Sequence, residues 1–146
     1  PMVDIVAREL RVRHDMLVVG TAWSRFGLPD GAQGPEEGRY GIHGGEMETS
    51  LMLHLRPDLV KMDKAEDFRS QQLELLEEFK RLRFHMAPAR IGWQAQDLHP
   101  SGAVGNAARA TAERGRLIVD HQARAFIELL QEMTRFDRSR LYQAVR

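Results

Sequence analysis

The chain reads as an α/β protein, and its first two segments carry that reading. A helical pattern over Met2–His14 leads into Met16-Leu17-Val18-Val19-Gly20-Thr21-Ala22-Trp23, a continuous apolar run. The run is too short for a good helix and rich enough in valine for a buried strand of a parallel sheet. Helix followed by buried strand is the α/β pattern. A third observation qualifies it. Beyond this strand only one short candidate, within Ile91–Leu98, can be found. The helices therefore outnumber the strands they would cover.

In the first helix, Val3, Val6, Ala7 and Leu10 share one face and Arg8, Arg11 and Arg13 another. Pro1 stands in the first-turn position, where proline is tolerated. Ser24–Gly41 is rich in Gly and Pro with little periodicity, and a loop that long in a compact domain is usually a lid or site wall, or else disordered. The next helix spans about Glu46–Arg56. Leu51, Met52, Leu53 and Leu55 make it apolar around most of its circumference, which predicts burial, and Pro57 ends it. Leu73, Leu75, Leu76, Phe79 and Leu82 form a helical stripe over about Ser70–Phe84, with a partly extended segment as the alternative. His99–Asn106 is a turn-rich loop. A long helix then runs from Ala107 to about Arg135, with Asn106 as its N-cap. There is no internal repeat and no low-complexity segment.

The length, 146 residues, suits one domain or a large part of one. The shortage of strands, and an opening inside a helix, predict the second half of a domain. Lys+Arg 21 balance Asp+Glu 21, so no net positive field favours nucleic acid. Cys 0 removes disulfides, thiolate metal sites and a cysteine nucleophile. Any metal must be held by His, Glu or Asp. No apolar run approaches the ~20 residues that span a bilayer, and no signal peptide opens the chain. These features fit a cytoplasmic protein without a membrane partner.

The most informative stretch is Gly41-Ile42-His43-Gly44-Gly45-Glu46-Met47-Glu48-Thr49-Ser50-Leu51-Met52-Leu53. Carboxylates are costly to bury unless paired, hydrogen-bonded or metal-bound. Glycines beside a histidine let a ligand approach the imidazole closely. One reading is a loop-to-helix junction that presents His43 and Glu46 to something polar and buried. The other is an acidic helix start, with Glu46 and Glu48 favouring the positive end of the dipole and His43 an ordinary turn residue.

These residues resemble the creatininase (creatinine amidohydrolase) family. His43–Leu53 is similar to its His-(Ala/Gly)-Gly-Glu-x-Glu-Thr-Ser-Leu-Met-Leu signature. The likeness continues through Arg56-Pro57-Asp58-Leu59-Val60, Ser101-Gly102-Ala103-Val104-Gly105-Asn106 and Ala110-Thr111-Ala112-Glu113-Arg114-Gly115. It covers roughly Met2 to Met133. The resemblance implies a three-layer α/β fold on a mostly parallel sheet, with two divalent cations (Zn, Mn or Fe) at the strand ends. It also implies a homo-oligomer that hydrolyses non-peptide C–N bonds of small cyclic amides or amides. Two metals about 3.5–4 Å apart activate water and polarise the carbonyl in such sites, and a histidine passes the proton to the leaving nitrogen. By the same resemblance His43 is the catalytic acid/base, Glu46 a metal ligand, Glu48 a residue that orients the ligand or caps the helix, and Gly44 part of the substrate approach. Trp23 sits where the family has an active-site tryptophan. Creatininase itself has a Trp-Asp pair where this chain has Arg39 and Tyr40, which predicts a substrate other than creatinine, one with an anionic group.

The family's remaining ligands, in Glu-x-His-Gly and Asn-Gly-His-Gly-Gly-Asn motifs, are absent. Residues 1–146 are accordingly read as the C-terminal half of a single creatininase-like domain, active only with a complementary N-terminal chain or half. Alone, the chain should expose apolar helix faces and one-sided strand edges. The rival reading is an inactive half-domain acting as a structural or binding module. A third, Pro1 as an N-terminal base, is disfavoured because such enzymes open with a strand. His14, His54, His85, His99 and His121 show no chelate spacing with one another, and His99 alone lies in a glycine loop near the expected cleft.

Overall fold

The computed structural model describes residues 2–85 and 89–142. Pro1, and with it the N-terminal-base reading, lies outside them. The chain divides into two compact units, Pro1–Gly27 with Gln122–Arg146, and Leu28–His121.

In the first unit, α1 spans Met2–His14 as the periodicity requires, with basic residues in its last turn where the dipole favours them. Asp15 then adopts φ 49°, a left-handed conformation that aspartate tolerates better than most residues. Arg11 and Arg138 both engage its carboxylate. The expected strand Met16–Trp23 forms no ladder; its last residue opens a 3₁₀ turn, Trp23–Phe26. The physical reason is that a strand exists only through its partner's hydrogen bonds, and among the described residues no segment pairs with this run. Trp23, Phe26 and Phe126 form an aromatic cluster with centroids 5.6–6.1 Å apart. The buried Gln122 donates from Nε2 to the Gly27 carbonyl at 3.0 Å.

The second unit carries α2 (Pro35–Tyr40), α3 (Glu46–Leu55), β1 (Asp67–Phe68), α4 (Gln72–Glu78), β2 (Leu82–Arg83), β3 (Ala89–Arg90), α5 (Ala95–Leu98) and β4 (Gly105–Asn106). It also holds the first turns of α6 (Ala112–Arg135). The expected loop Ser24–Gly41 thus contains a helix, opened by Pro35 at its first position with Glu36 and Glu37 in its first turn. The helix expected over Ser70–Phe84 is shorter. It stops at Glu78 because Phe79 turns extended and Arg83 pairs with Arg90. Ile91–Leu98 is not a strand but ends in α5, which a capping box between Gln94 and Asp97 opens. The long helix begins five residues late. Asn106 is taken into a ladder opposite Asp67, so Thr111 caps α6 instead, accepting from the Arg114 N–H at 3.2 Å.

Among the described residues the ladders are two-residue pairs, β1 antiparallel to β4 and β2 parallel to β3. The helix and strand elements agree with an α/β protein; the mostly parallel sheet is not formed by these residues. The apolar core is small: Ala32, Tyr40, Leu73, Leu98, Val104, Ala107, Ala110 and Ile118 are buried. The apolar residues of α3, expected inside, are only partly covered: Leu51 and Leu53 are half-buried and Met52 and Leu55 exposed, whereas the polar Glu46 and Ser50 are buried. On α1, Met2, Val3, Ile5 and Val6 are all more than half exposed. Among the described residues no helix is long and apolar enough to cross a membrane.

The contact of α3 with α6 depends on Gly115. A Cβ there would fall on the Ser50 carbonyl and lie 2.9 Å from the His54 Cβ. Next to it, Ser50 Oγ accepts from the Thr111 N–H at 3.1 Å. Gly115→Ala should therefore push the helices apart and lower stability by about 1–3 kcal/mol, read as a shift of the urea midpoint. An unchanged midpoint would contradict this packing.

Candidate functional site

The junction that carries His43 is built by backbone bonds to a segment sixty residues downstream. The N–H groups of Ile42 and His43 donate to the Val104 carbonyl at 2.9 and 3.2 Å, and Val104 N–H returns a bond to the His43 carbonyl at 2.9 Å. Gly44 follows with φ 66°, a region costly for other residues, and Gly45 leads into α3.

No side chain at the N-cap of α3 covers its first amides. A carboxylate from another helix does so. Glu37, on α2, accepts the Glu46 N–H with Oε1 at 2.8 Å and the Asn106 N–H with Oε2 at 2.6 Å. Glu46 performs the converse service, its Oε2 accepting the N–H of Gly34, which precedes α2, at 2.8 Å. Each helix start is thus satisfied by a carboxylate of the other, an arrangement favoured by both unpaired amides and dipole. The two glutamates are 4% and 0% exposed, respectively, so neither carboxylate has water as an alternative partner.

Room for Glu37 comes from glycine. A Cβ on Gly45 would overlap its carboxylate, and one on Gly105 would lie 2.5 Å from Oε1 and 2.7 Å from the Gly45 Cα. Burial pushes the Glu37 carboxyl above its usual range. The Asn106 N–H opposes this, and the charges of Glu48 and Asp67 add to it. Tyr40, 1% exposed, donates its hydroxyl to Asp67 at 2.5 Å. Burial first, and that bond second, hold the phenol protonated far above its ordinary range.

Glu46 has a second set of partners. Arg114 forms an ion pair with Oε1, Arg109 stands 4.0 Å from it, and Arg114 also donates to the Arg109 carbonyl at 3.0 Å. A buried carboxylate is tolerable on those terms. They also bear on the expected metal. The Glu46 charge is already balanced by a guanidinium, and a cation would have to displace Arg114. Among the described residues no group of three or more His, Cys, Asp or Glu is disposed to hold a metal ion. The residues present here do not fit a two-metal centre.

His43 is half-buried. Its Nε2 bonds to the Gly102 carbonyl, and its ring lies parallel to Trp93 (4° between planes, centroids 6.4 Å apart). His99 is engaged elsewhere, with Ser101 Oγ at 2.8 Å and edge-on to Phe68. Of the residues singled out in sequence, His43, Gly44, Glu46, Glu48, Arg39 and Tyr40 all fall in the second unit, on α2, α3 and the turn between them. Trp23 belongs to the first unit, in the aromatic cluster. Arg39 is exposed and pairs with Glu36 at 3.2 Å. Glu37, Asp67, Arg114 and Trp93 join this site from positions that the sequence motifs do not mark as functional. Pro35 followed by two glutamates is a sequence signal for a helix that starts at Pro35 and carries Glu37 in its first turn, and Arg114 lies inside the Ala110–Gly115 motif.

The family model described as Creatininase: Creatinine amidohydrolase matches residues 1–130. The chain belongs to the creatininase family. Among solved structures it is similar to a protein described as a creatinine amidohydrolase from Bacteroides fragilis NCTC 9343. The identity is 28% and the TM-score 0.71, over 94% of this chain and 50% of that one. It is also similar to a structure described as Creatininase Mn, at 27% identity and TM-score 0.58, over 90% of this chain and 49% of that one. A glutamate-to-glutamine creatininase variant complexed with creatine matches at 25% identity and TM-score 0.61, with the same coverage. The chain therefore spans about half the length of these solved relatives. No curated protein sequence matches it.

The glutamate clasp gives a pH prediction for this creatininase-family unit. Because folding raises the Glu37 pKa, the unfolded chain ionises first as pH rises through the ordinary carboxylate range. Stability from this group then falls until the folded carboxyl ionises as well. Glu37→Gln should remove that slope. It should also cost about 1–3 kcal/mol, since an amide can accept only one of the two N–H groups. Urea titrations across acidic pH would show both effects; a variant as stable as the parent, with the same slope, would contradict them.

Proposed function

We propose that this chain is the C-terminal half of a creatininase-like hydrolase that cleaves a C–N bond in a small cyclic amide or amide, with His43 as its acid/base. The observation that carries the reading is the setting of His43. Its imidazole is held by a carbonyl on one nitrogen and a parallel indole on one face, at a glycine-opened turn. Hydrolysis adds water to the carbonyl carbon and expels nitrogen. The expelled nitrogen needs a proton, which a fixed imidazole can deliver.

The complementary half is supported by coverage and by surface. The chain spans half of its solved relatives, and apolar residues on α1 and α3 stand open. That half would complete the three-layer, mostly parallel sheet, pair with Met16–Trp23 and bring the divalent ions (Zn, Mn or Fe) with their remaining ligands. Relatives described as Creatininase Mn and as a Zn–Zn type creatininase variant support metals of that kind. A homo-oligomeric, cytoplasmic enzyme is part of the same reading.

Within the chain the proposed roles divide. Arg39, exposed at the end of α2, contacts the anionic group of the substrate; its surface pair with Glu36 is weak enough to exchange. Gly44 keeps the approach open, and Trp23 keeps the substrate-binding role that the family resemblance implies for it. Tyr40, expected from the sequence to contact substrate beside Arg39, is buried with its hydroxyl on Asp67 and supports the site from behind, as does Glu48. The closed Glu46–Arg114 pair favours a second reading, a half-domain that is scaffold alone.

Reconstitution with the complementary half decides between them. His43→Ala should spare bound metal and cut turnover by about 10²–10⁴-fold; undiminished turnover would remove His43 from the mechanism. Glu46→Gln should lower metal content if Glu46 is a ligand. If it is only the partner of Arg114 and Gly34, the variant should lose stability with metal content intact. Arg39→Ala should raise KM for amides that carry a carboxylate and leave neutral amides unaffected; an equal effect on both, or efficient turnover of creatinine, would contradict the anionic substrate.

A further inference from the structure

His43 is restrained in three independent ways. Its backbone is locked to Val104 on both sides of the peptide unit. Its ring plane is set by Trp93, and one ring nitrogen is tied to Gly102. The indole is itself anchored, since Trp93 Nε1–H donates to the Phe84 carbonyl at 2.9 Å. The carbonyl of Gly102 is aimed by a tight turn, in which Gly102 N–H donates to the His99 carbonyl at 2.8 Å and Gly102 takes φ 80°. A carbonyl oxygen can only accept, so the nitrogen that meets it must carry hydrogen.

We propose that Trp93 and the Gly102 carbonyl are the positioning elements of His43, fixing its Nε2–H tautomer so that Nδ1 is the atom that exchanges the substrate proton. The proposal deepens, and rests on, the reading of His43 as acid/base. The neutral imidazole takes a proton at Nδ1 when water is deprotonated and returns it from Nδ1 to the departing nitrogen. Nε2–H stays on Gly102 throughout, where its bond strengthens as the ring becomes cationic. Trp93 acts through His43 and touches no reacting atom. Its parallel face restricts rotation about the imidazole's side-chain bonds, and the bond to Phe84 restricts the indole in turn. Without that stack the ring can turn, lose Gly102 and sample the other tautomer. Misplacement by about 1 Å is enough to cost on the order of 10²-fold in rate.

The test begins with a readout independent of activity. ¹⁵N-labelled chain, examined by long-range ¹H–¹⁵N correlation at about pH 8, where imidazole is ordinarily neutral, reports which nitrogen of His43 bears hydrogen. The expected spectrum shows Nε2–H in at least about tenfold excess; predominance of Nδ1–H overturns the proposal. Trp93→Ala should reduce that excess and, in the reconstituted enzyme, lower kcat by about 10–100-fold with KM within about twofold. Trp93→Phe, which keeps an aromatic face but not the anchor, should recover most of kcat. A Trp93→Ala protein with the parental tautomer ratio and kcat overturns the role of Trp93. If the acid/base reading fails, the result looks different: His43→Ala retains full turnover while the parental spectrum still shows Nε2–H. That pair of results overturns the proton-transfer assignment to Nδ1.

Discussion

Two buried glutamates exchange helix starts, and the rest of the second unit is arranged around that exchange. Glu37 reaches from α2 to the first amide of α3, and Glu46 reaches from α3 to the amide that precedes α2. Neither helix has a capping side chain at its own N-cap, so each depends on the other's presence. Glu37 also takes the Asn106 amide and so ties β4 to both helices. Gly45 and Gly105 are glycine because any Cβ would occupy the space of that carboxylate. With the polar interior so filled, no apolar residue of α3 is fully buried: Met47, Leu51 and Leu53 are half-buried and Met52 and Leu55 exposed. This explains why a helix that reads as buried in sequence carries exposed Met52 and Leu55.

Function connects to this clasp through the turn between α2 and α3. His43 lies three residues before Glu46 and three after Tyr40, both of which are fully engaged, by Arg114 and Gly34 and by Asp67. With both ends of the turn held, the imidazole is free only within limits set by Val104, Gly102 and Trp93. A site whose supports lie on three separate segments is precise only while all three are packed, which is the condition for a preorganised acid/base. The role proposed for His43 rests on the motif resemblance and on this restraint of its ring. Motif and structure part over Glu46, which the former offers as a metal ligand and the latter places against Arg114.

Much of this was legible in sequence where the cause is local. The bounds of α1 and α3 follow from periodicity and from Pro57, and the His43–Ser50 motif marks its own importance through glycines and carboxylates that adjoin. What was illegible depends on distant partners. Met16–Trp23 has strand chemistry, but a strand is a pairing and its partner is not among the described residues. Thr111 displaces Asn106 as the cap of α6 because Asp67 and Glu37 claim Asn106 first. Glu37 meets Glu46 across nine residues and Arg114 meets it across 68; no spacing rule connects such positions. Trp93 read as an unremarked residue in a short strand, whereas it stacks on the histidine fifty positions earlier.

The second unit depends on the two glutamates acting as one device rather than as two separate caps. A double-mutant cycle with Glu37→Gln, Glu46→Gln and the pair, measured by urea unfolding at neutral pH, addresses it directly. For one device, the second substitution costs less once the first is made, with a coupling of about 0.5–3 kcal/mol. Losses that add within about 0.3 kcal/mol would show two independent caps and contradict it.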